Sequence, residues 1–550
     1  MKKVIFAMAM TVATALHAQT INVNNNDGTY LPLETRYTAG IEFNENTKVV
    51  TLTTYTGEKH HFHTGKVESI SPKADKTTEL KYNLEPTVIF DDNDRNLFNE
   101  VIETIPTTET DDNDYGDFVD NYKVATVVEI VFSENDVKVT GDIPYKKNGA
   151  HLTIESTVGK IGYIVSGKSA NGSLKIYSEK KFQIMLSGLE LTNPVGPAIN
   201  IQTGKTVYFT IDDNTTNSLC DGAIYNAPAV ADEDQKGTIF SEGQIIFNGY
   251  EDGSGILNVT SHGGHGICSD DYIRIRSGNI NILSAAKDGF HTNDRFVVGR
   301  TATASPRISV NSTADGIDCG KGEVIIEAGI LELNTGGEAI KVEYEEENPD
   351  PLVVPNATID GGFIKFTTNG KKSSGIKTTG EYIQNGGIVQ GIVKGDGSKI
   401  LNCDSNITFK GGRLTGFAEG TVLNDTTSAG GIKCEGNINI QDCTIAIACS
   451  GKGAKGINSK NITIKSGDIT ILTTAENFKG NEGTRKSIAV DTGNFSITNG
   501  NIRLKAYDNA ISATKTSIFK GTLHAISESD IAIDATISQT GGWIMTKDGK

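Results

Sequence analysis

The sequence predicts an all-β solenoid, and three observations carry that prediction. The first is a phrase repeated between His265 and Ile533: Gly or Ala, an aliphatic residue or Phe, a few polar residues, a short alternating strand, Gly, another strand. The second is its period. Gly266, Gly289, Gly316 and Ala339 are 23, 27 and 23 residues apart, and Ile488 and Ile511 are again 23 apart. A period in the low twenties with two or three short strands per unit builds a stack, because each unit buries its apolar face only on its neighbours. The third is that no helical pattern of useful length follows residue 18, while VATVVEIVFS, DVKVTG, HLTIES and GSLKIYS alternate residue by residue. Glycine is abundant (61) and proline scarce (12), which suits tight corners between strands rather than a proline-rich linker.

Each part of the chain takes its place in order. Residues 1–18 read as a signal peptide, with Lys2 and Lys3, an apolar stretch from Val4 to Ala15, and Leu16-His17-Ala18 as the cleavage site. The apolar stretch is too short to span a bilayer well. Gln19, not cysteine, follows the cut, and no other segment resembles a membrane span. Export of the mature chain is expected. Residues 19–74 read as a small N-terminal β segment, alternating like a hairpin about Thr56-Gly57-Glu58. His60, His61 and His63 do not all face one way along a strand, so an ordinary exposed strand is the better reading than a metal site.

Residues 75–122 are acidic and aperiodic, a linker or cap. Within them, positions 91–120 hold eleven acidic residues against Arg95 alone. Asp111 to Gly116 resembles the start of an EF-hand loop, but Tyr122 stands where that loop needs glutamate, and no flanking helix is evident. Residues 123–550 form the stack. The non-repeating 123–180 region and the C-terminal GGWIMTKDG are candidates to cover its open edges.

Composition narrows the function classes. Net charge is −17 and no basic stripe exists, so nucleic acid is a poor partner. An acidic polymer would be repelled unless a divalent cation bridged it to the protein. The seven cysteines are odd in number and lack a CxxC spacing, which argues against a disulfide framework or a zinc site. They read as small buried residues, with Cys443 and Cys449 open to pairing. Trp543 is the single tryptophan, which argues against stacking on flat crystalline glucan.

Six segments in order carry a family resemblance. They are LTNPVGPAINI from Leu191, TTNSLCDG from Thr215, KGTIFSEG from Lys236, HGICSDDYIRI from His265, DGFHTND from Asp288 and DGID from Asp315. Together they resemble a secreted bacterial carbohydrate-binding β-helix family, related in shape to pectate lyases. The resemblance covers roughly residues 120–550 and is densest between 185 and 342. It implies a right-handed parallel β-helix, binding of plant-type polysaccharide including polygalacturonate, and bound calcium. It does not imply catalysis. The chain departs from the family's Asp-Gly-Ile pattern at Phe290, at Glu338-Ala339, and at Ser374, Gly430 and Lys455, so any acidic cluster is confined to the central coils.

Alignment of the repeats on Ile267, Phe290, Ile317 and Ile340 locates that cluster. Two residues earlier stand His265, Asp288, Asp315 and Glu338; one residue later stand Cys268, His291, Asp318 and Lys341. Equivalent positions of a parallel stack lie about 4.8 Å apart, and calcium takes oxygens at about 2.3–2.6 Å, so stacked carboxylates can flank one ion. Asp288, Asp315 and Glu338 form the expected ladder, with Asp318 and the corner residues Asp270, Asp271 and Asp294 as further ligands. Without a cation such a ladder needs raised pKa values. Three readings stand: turn chemistry alone, calcium that staples coils, and calcium that also meets a ligand. In the last, a uronate carboxylate completes the shell, and His291, Lys341 and Lys377 add contacts.

A lyase would need a base beside the metal, with Lys341 first and Arg274 second. Asp270 and Asp271 are adjacent on a strand and diverge, which makes a poor acid/base pair for hydrolysis. The sequence points to a non-catalytic, calcium-dependent binder of acidic plant polysaccharide, acting as a monomer. A calcium-dependent lyase is the alternative, and a structural or adhesive solenoid the third reading.

Overall fold

The computed structural model describes residues 20–34, 38–54, 57–71, 73–79, 116–228, 230–299, 305–344, 350–424 and 427–549. The expected signal peptide, most of the acidic run and Asp111 to Tyr115 lie outside the described residues. The chain divides into two units. One is Asn96–Ser405 with Gly411–Arg413; the other is Met1–Arg95 with Asn406–Lys410 and Leu414–Lys550. Among the described residues there is no α-helix; 3-10 conformation occurs at Val119–Asn121 and just before it, at residues 116–117. No helix among them is long and apolar enough to cross a membrane.

The unit containing 96–405 is a parallel β-helix with three strand rows. One row runs Gly237–Ser241, His265–Ser269, Phe290–Thr292, Ile317–Cys319, Ile340–Val342 and Ile376–Thr378, each strand pairing in parallel with the next. The other two rows pass through Arg295–Val298 and Arg307–Ser312. At its first coil Thr126–Ser133 turns back antiparallel on Asp136–Thr140, so a hairpin lies at that edge.

Register explains the repeated phrase. Ile267, Phe290, Ile317 and Ile340 pair with one another and are fully buried, so they form one apolar column inside the coils. Each such side chain contributes about 1.5–3 kcal/mol by leaving water. The glycines just before them exist for want of space. A Cβ on Gly289 would meet Val310 Cγ1 at 2.3 Å and the Gly316 carbonyl at 2.8 Å. A Cβ on Gly316 would meet the Ala339 carbonyl at 2.6 Å.

The other unit repeats the principle. Asp468–Thr473, Asn501–Ala506, Thr522–Ser527 and Trp543–Lys547 stack in parallel. Its N-terminal part is built mainly of antiparallel strands, with Thr78–Glu79 parallel to Thr29–Glu34. Thr20–Asn25 lies between Thr29–Glu34 and Val67–Ser71, and Val49–Thr54 lies beside Glu58–His63. Glu58–His63 pairs antiparallel with Trp543–Lys547, so the C-terminal GGWIMTKDG is the last strand of the stack and the N-terminal segment covers its edge. Val23, Leu31, Leu52, Phe62, Trp543 and Met545 share one core.

That docking corrects the reading of Glu58–His63 as an exposed strand. His60 is 3% exposed and stacks on Trp543 with ring centroids 5.5 Å apart. The hydrophobic partner explains the burial, and it was 480 residues away in sequence (roughly), beyond any local pattern. Six of the cysteines are buried, Cys220 is half-buried, and no disulfide joins any of them.

Candidate functional site

The acidic column sits on the outer side of the strand row through His265. Because side chains alternate across a strand, the residue after each buried aliphatic points outward. Parallel register then sets His291, Asp318, Lys341 and Lys377 on consecutive coils. The turns before these strands present Asp288, Asp315 and Glu338, and His265 opens its own strand in the equivalent position.

Local turn chemistry holds the carboxylates in place. The Asp315 amide donates to Asp288 Oδ1 at 2.8 Å, and the Glu338 amide donates to Asp315 Oδ1 at 2.7 Å. Each Asp therefore caps the corner of the next coil with one oxygen and keeps the other for the cluster.

The second oxygen of Asp288 and the carboxylate of Asp318 meet nitrogen partners. His265 Nδ1 lies 3.0 Å from Asp288 Oδ2. His291 Nδ1 lies 3.1 Å from Asp318 Oδ2 and 3.5 Å from Asp288 Oδ2. The two imidazoles stack with centroids 4.6 Å apart. Lys341 Nζ lies 3.8 Å from Asp318 Oδ1 and 3.6 Å from Glu343 Oε2, and Lys377 bonds the other oxygen of Glu343. Basic groups thus flank the carboxylates of Asp288, Asp318 and Glu343 along the stack.

The charge balance is uneven. Burial pushes the Asp288 carboxyl up, but hydrogen bonds from His265 and His291 overcome it and hold the group well below the usual range. Burial disfavours the His291 cation, yet Asp288 and Asp318 raise its pKa to about 9. Burial lowers His265, against the pull of Asp288. Asp315 has no such partner: burial, then Glu338 and Asp288, push it up to about 8.

Asp288, Asp315 and Asp318 each offer an oxygen, and these lie within 4.8 Å of one another. Two calcium–oxygen bonds of about 2.4 Å span that distance. The all-carboxylate donor set fits a hard divalent cation, and Asp315 is the carboxylate left without a counter-charge.

Comparison with known proteins gives this surface its context. The family described as "Carbohydrate-binding domain-containing protein" matches residues 148–480, more than half of the chain. The chain belongs to that family. The carbohydrate-binding domain match includes every residue of the cluster. A relative from Acetivibrio thermocellus, also called a carbohydrate-binding domain-containing protein, is 26% identical over 122 residues. That alignment takes in 22% of this chain and 41% of the relative, so the chain spans less than half of the relative's length. A solved structure described as the polysaccharide lyase-like protein from C. thermocellum, a gadolinium derivative, is similar at 22% identity, with a TM-score of 0.34. It covers 57% of this chain and 96% of its own.

Within this carbohydrate-binding domain the other residues expected at the site separate. Asp270 is held by Lys236 at 2.6 Å, and Lys236 also pairs with Asp234 at 2.7 Å. With Glu242 these form a second acidic group. Asp271 and Asp294 stack on the next corner, where burial and then Asp294 raise the Asp271 carboxyl. Neither belongs with Asp288, Asp315 and Asp318. Glu338 stands beside Asp315 as a neighbouring charge.

Arg274 is not beside the ladder. It lies in another strand row, fully buried, 3.0 Å from Asp117 and 3.6 Å from Glu327. It serves as a buried ion-pair partner there, because a guanidinium without water must be matched by carboxylates. Lys341, between Asp318 and Glu343, is also an ion-pair donor in this arrangement.

Sequence reasoning passed over His265 as a participant, and Glu343, Asp234, Lys236 and Glu242. Glu343 stands three residues after Ile340, in the position that Asp270 holds after Ile267, so register was the signal that could have found it. Asp234 follows a long connection that breaks the period, whereas Lys236 opens the KGTIFSEG coil and lies beside Gly237, which pairs with His265.

Proposed function

We propose that this chain binds polysaccharide on the face formed by Asp288, Asp315, Asp318, Lys341 and Lys377. A calcium ion held by the three aspartates would present a charge that an acidic, plant-type polysaccharide such as polygalacturonate completes with its own carboxylates. One observation carries this reading: three carboxylates converge where the family match and the stacked face coincide, and Asp315 lacks a cation of its own. His291, Lys341 and Lys377 would supply hydrogen bonds and positive charge to the same ligand. The chain would work outside the cell, exported by residues 1–18, without cleaving the polymer.

A pull-down on immobilised polygalacturonate tests it. Retention in calcium, release in chelator, and loss of retention in Asp315→Asn are the expected results. Steady growth of unsaturated product in the ultraviolet would replace the non-catalytic reading with a lyase.

A further inference from the structure

A recess lies in the other unit, remote in sequence from the acidic ladder; part of its lining, from Asp442 to Asp468, falls inside the family match and the rest outside it. It has a volume of about 660 Å³, within the roughly 300–1,000 Å³ of small-ligand clefts. Its floor is a column of glycines, Gly467, Gly500, Gly521 and Gly542, all with φ in the left-handed half of the map. A Cβ on Gly500 would meet the Gly467 carbonyl at 2.7 Å, and one on Gly521 would meet the Gly500 carbonyl at 2.3 Å. Close stacking therefore keeps side chains off the floor.

The walls are polar and the rim carries an aromatic. Asp468, Asn501 and Thr522 are aligned on successive strands along one side. Asp27, His63 and Lys66 of the N-terminal segment stand on the other. Phe519 at the edge is 49% exposed, and Trp543 and Phe62 stack beneath with centroids 6.2 Å apart.

The charges favour a neutral ligand. Asp468 is engaged by Arg503, and Asp27 accepts the amide and hydroxyl of Thr29. Lys66, Lys520, Asp442 and Asn499 make no side-chain hydrogen bond among the described residues, so both signs and an amide remain for a ligand. A chain of carboxylates would meet Asp27, Asp442 and Asp468 as like charges. Alternating donors and acceptors with an exposed ring suit a molecule that has hydroxyls at its edges and C–H groups on its faces.

We infer that this groove is a second glycan site, which takes a short neutral oligosaccharide without a metal ion. Phe519 stacks on a sugar face, while Asn499, Asn501, Lys66 and Lys520 bond its hydroxyls. The inference goes beyond the reading of the acidic face and does not depend on it.

Trp543 is the only tryptophan of the chain and lines this groove, so its fluorescence reports here and not at the ladder. The full chain is titrated in chelator with cellohexaose, xylohexaose and mannohexaose, and separately with trigalacturonate. A saturable Trp543 change with at least one neutral hexasaccharide is expected, unchanged in Asp315→Asn and weakened at least tenfold in Phe519→Ala. Phe519 is exposed, so its truncation leaves the fold intact; circular dichroism of the variant checks this. No saturable change with any of the three neutral sugars, a response to trigalacturonate alone, or equal binding by Phe519→Ala would overturn the inference. Failure of calcium-dependent polygalacturonate binding would leave it standing.

Discussion

His291 Nδ1 lies 3.1 Å from Asp318 Oδ2, across the gap between two consecutive coils. This contact sets the electrostatics of the central face, because the same nitrogen is also 3.5 Å from Asp288. One imidazolium stands where a cation is needed between two carboxylates. The proposed calcium ion would occupy neighbouring space and compete with that charge.

His291→Gln separates the two cations. Without the imidazolium, Asp288 keeps only His265 and Asp318 only the longer contact to Lys341, and losing one partner of a partly buried pair costs on the order of 1–3 kcal/mol. The variant should melt lower than wild type in chelator. It should then gain more from added calcium than the wild type does, read as the difference in Tm between the two conditions. Equal gains would mean that no ion binds among these carboxylates.

Asp315→Asn keeps the oxygen that caps the Glu338 amide and removes a charge raised by burial and its neighbours. A carboxyl whose folded pKa is raised to about 8 favours folding below its ordinary value near 3.8 and opposes it as pH climbs towards 8. In chelator at pH 8, the variant should therefore be at least as stable as wild type. In calcium the order should reverse, since saturation at a hundredfold over Kd adds about 2.7 kcal/mol to the protein that binds. Thermal melts under the two conditions check the crossing.

The fold was largely legible because a solenoid writes its contacts at a fixed period. Ile267, Phe290, Ile317 and Ile340 could be aligned by eye, and their register put Asp288, Asp315 and Asp318 on one face. The counter-charges were harder to see. His265 precedes the acidic ladder by one coil and reads as a break in it, whereas in space it is a partner of Asp288. Arg274 was misplaced because the sequence near it does not reveal which of three rows a strand joins. Asp117, its partner, comes from a segment with no period.

Steric stacking makes a separate prediction. Gly289→Ala puts a methyl group 2.3 Å from Val310 Cγ1, and such overpacking costs about 1–3 kcal/mol. Ala339→Gly, in the next equivalent position but one, should cost no more than about 1 kcal/mol. Urea midpoints of the two variants give the comparison, and an equal loss in both would remove the steric explanation for the repeated glycine.

Acid should loosen the docking of the N-terminal segment. His60 and His524 both pair across Met545, and His61 lies on the same strand as His60. Burial, then neighbouring positive charge, lowers His60 and His61 to about 4 and His524 to about 3. Lys59 and Asp548 act in opposite senses on His61, while Arg503 and Lys547 both lower His524. The folded form binds fewer protons than the unfolded one, so this stability is complete above about pH 6.5 and is lost as pH falls towards 4. Tm should drop over that window, and His60→Gln should make the drop shallower. A wild-type Tm that stays level from pH 7 to pH 4.5 would contradict the assignment.

The central claim is that a cation on Asp288, Asp315 and Asp318 joins this protein to an acidic polysaccharide. Calorimetric titration of polygalacturonate into the full chain, once in calcium and once in chelator, measures it directly. The account predicts saturable binding in calcium that disappears in chelator and is weakened at least tenfold by Asp315→Asn. Undiminished affinity in chelator, or no binding in either condition, would contradict it.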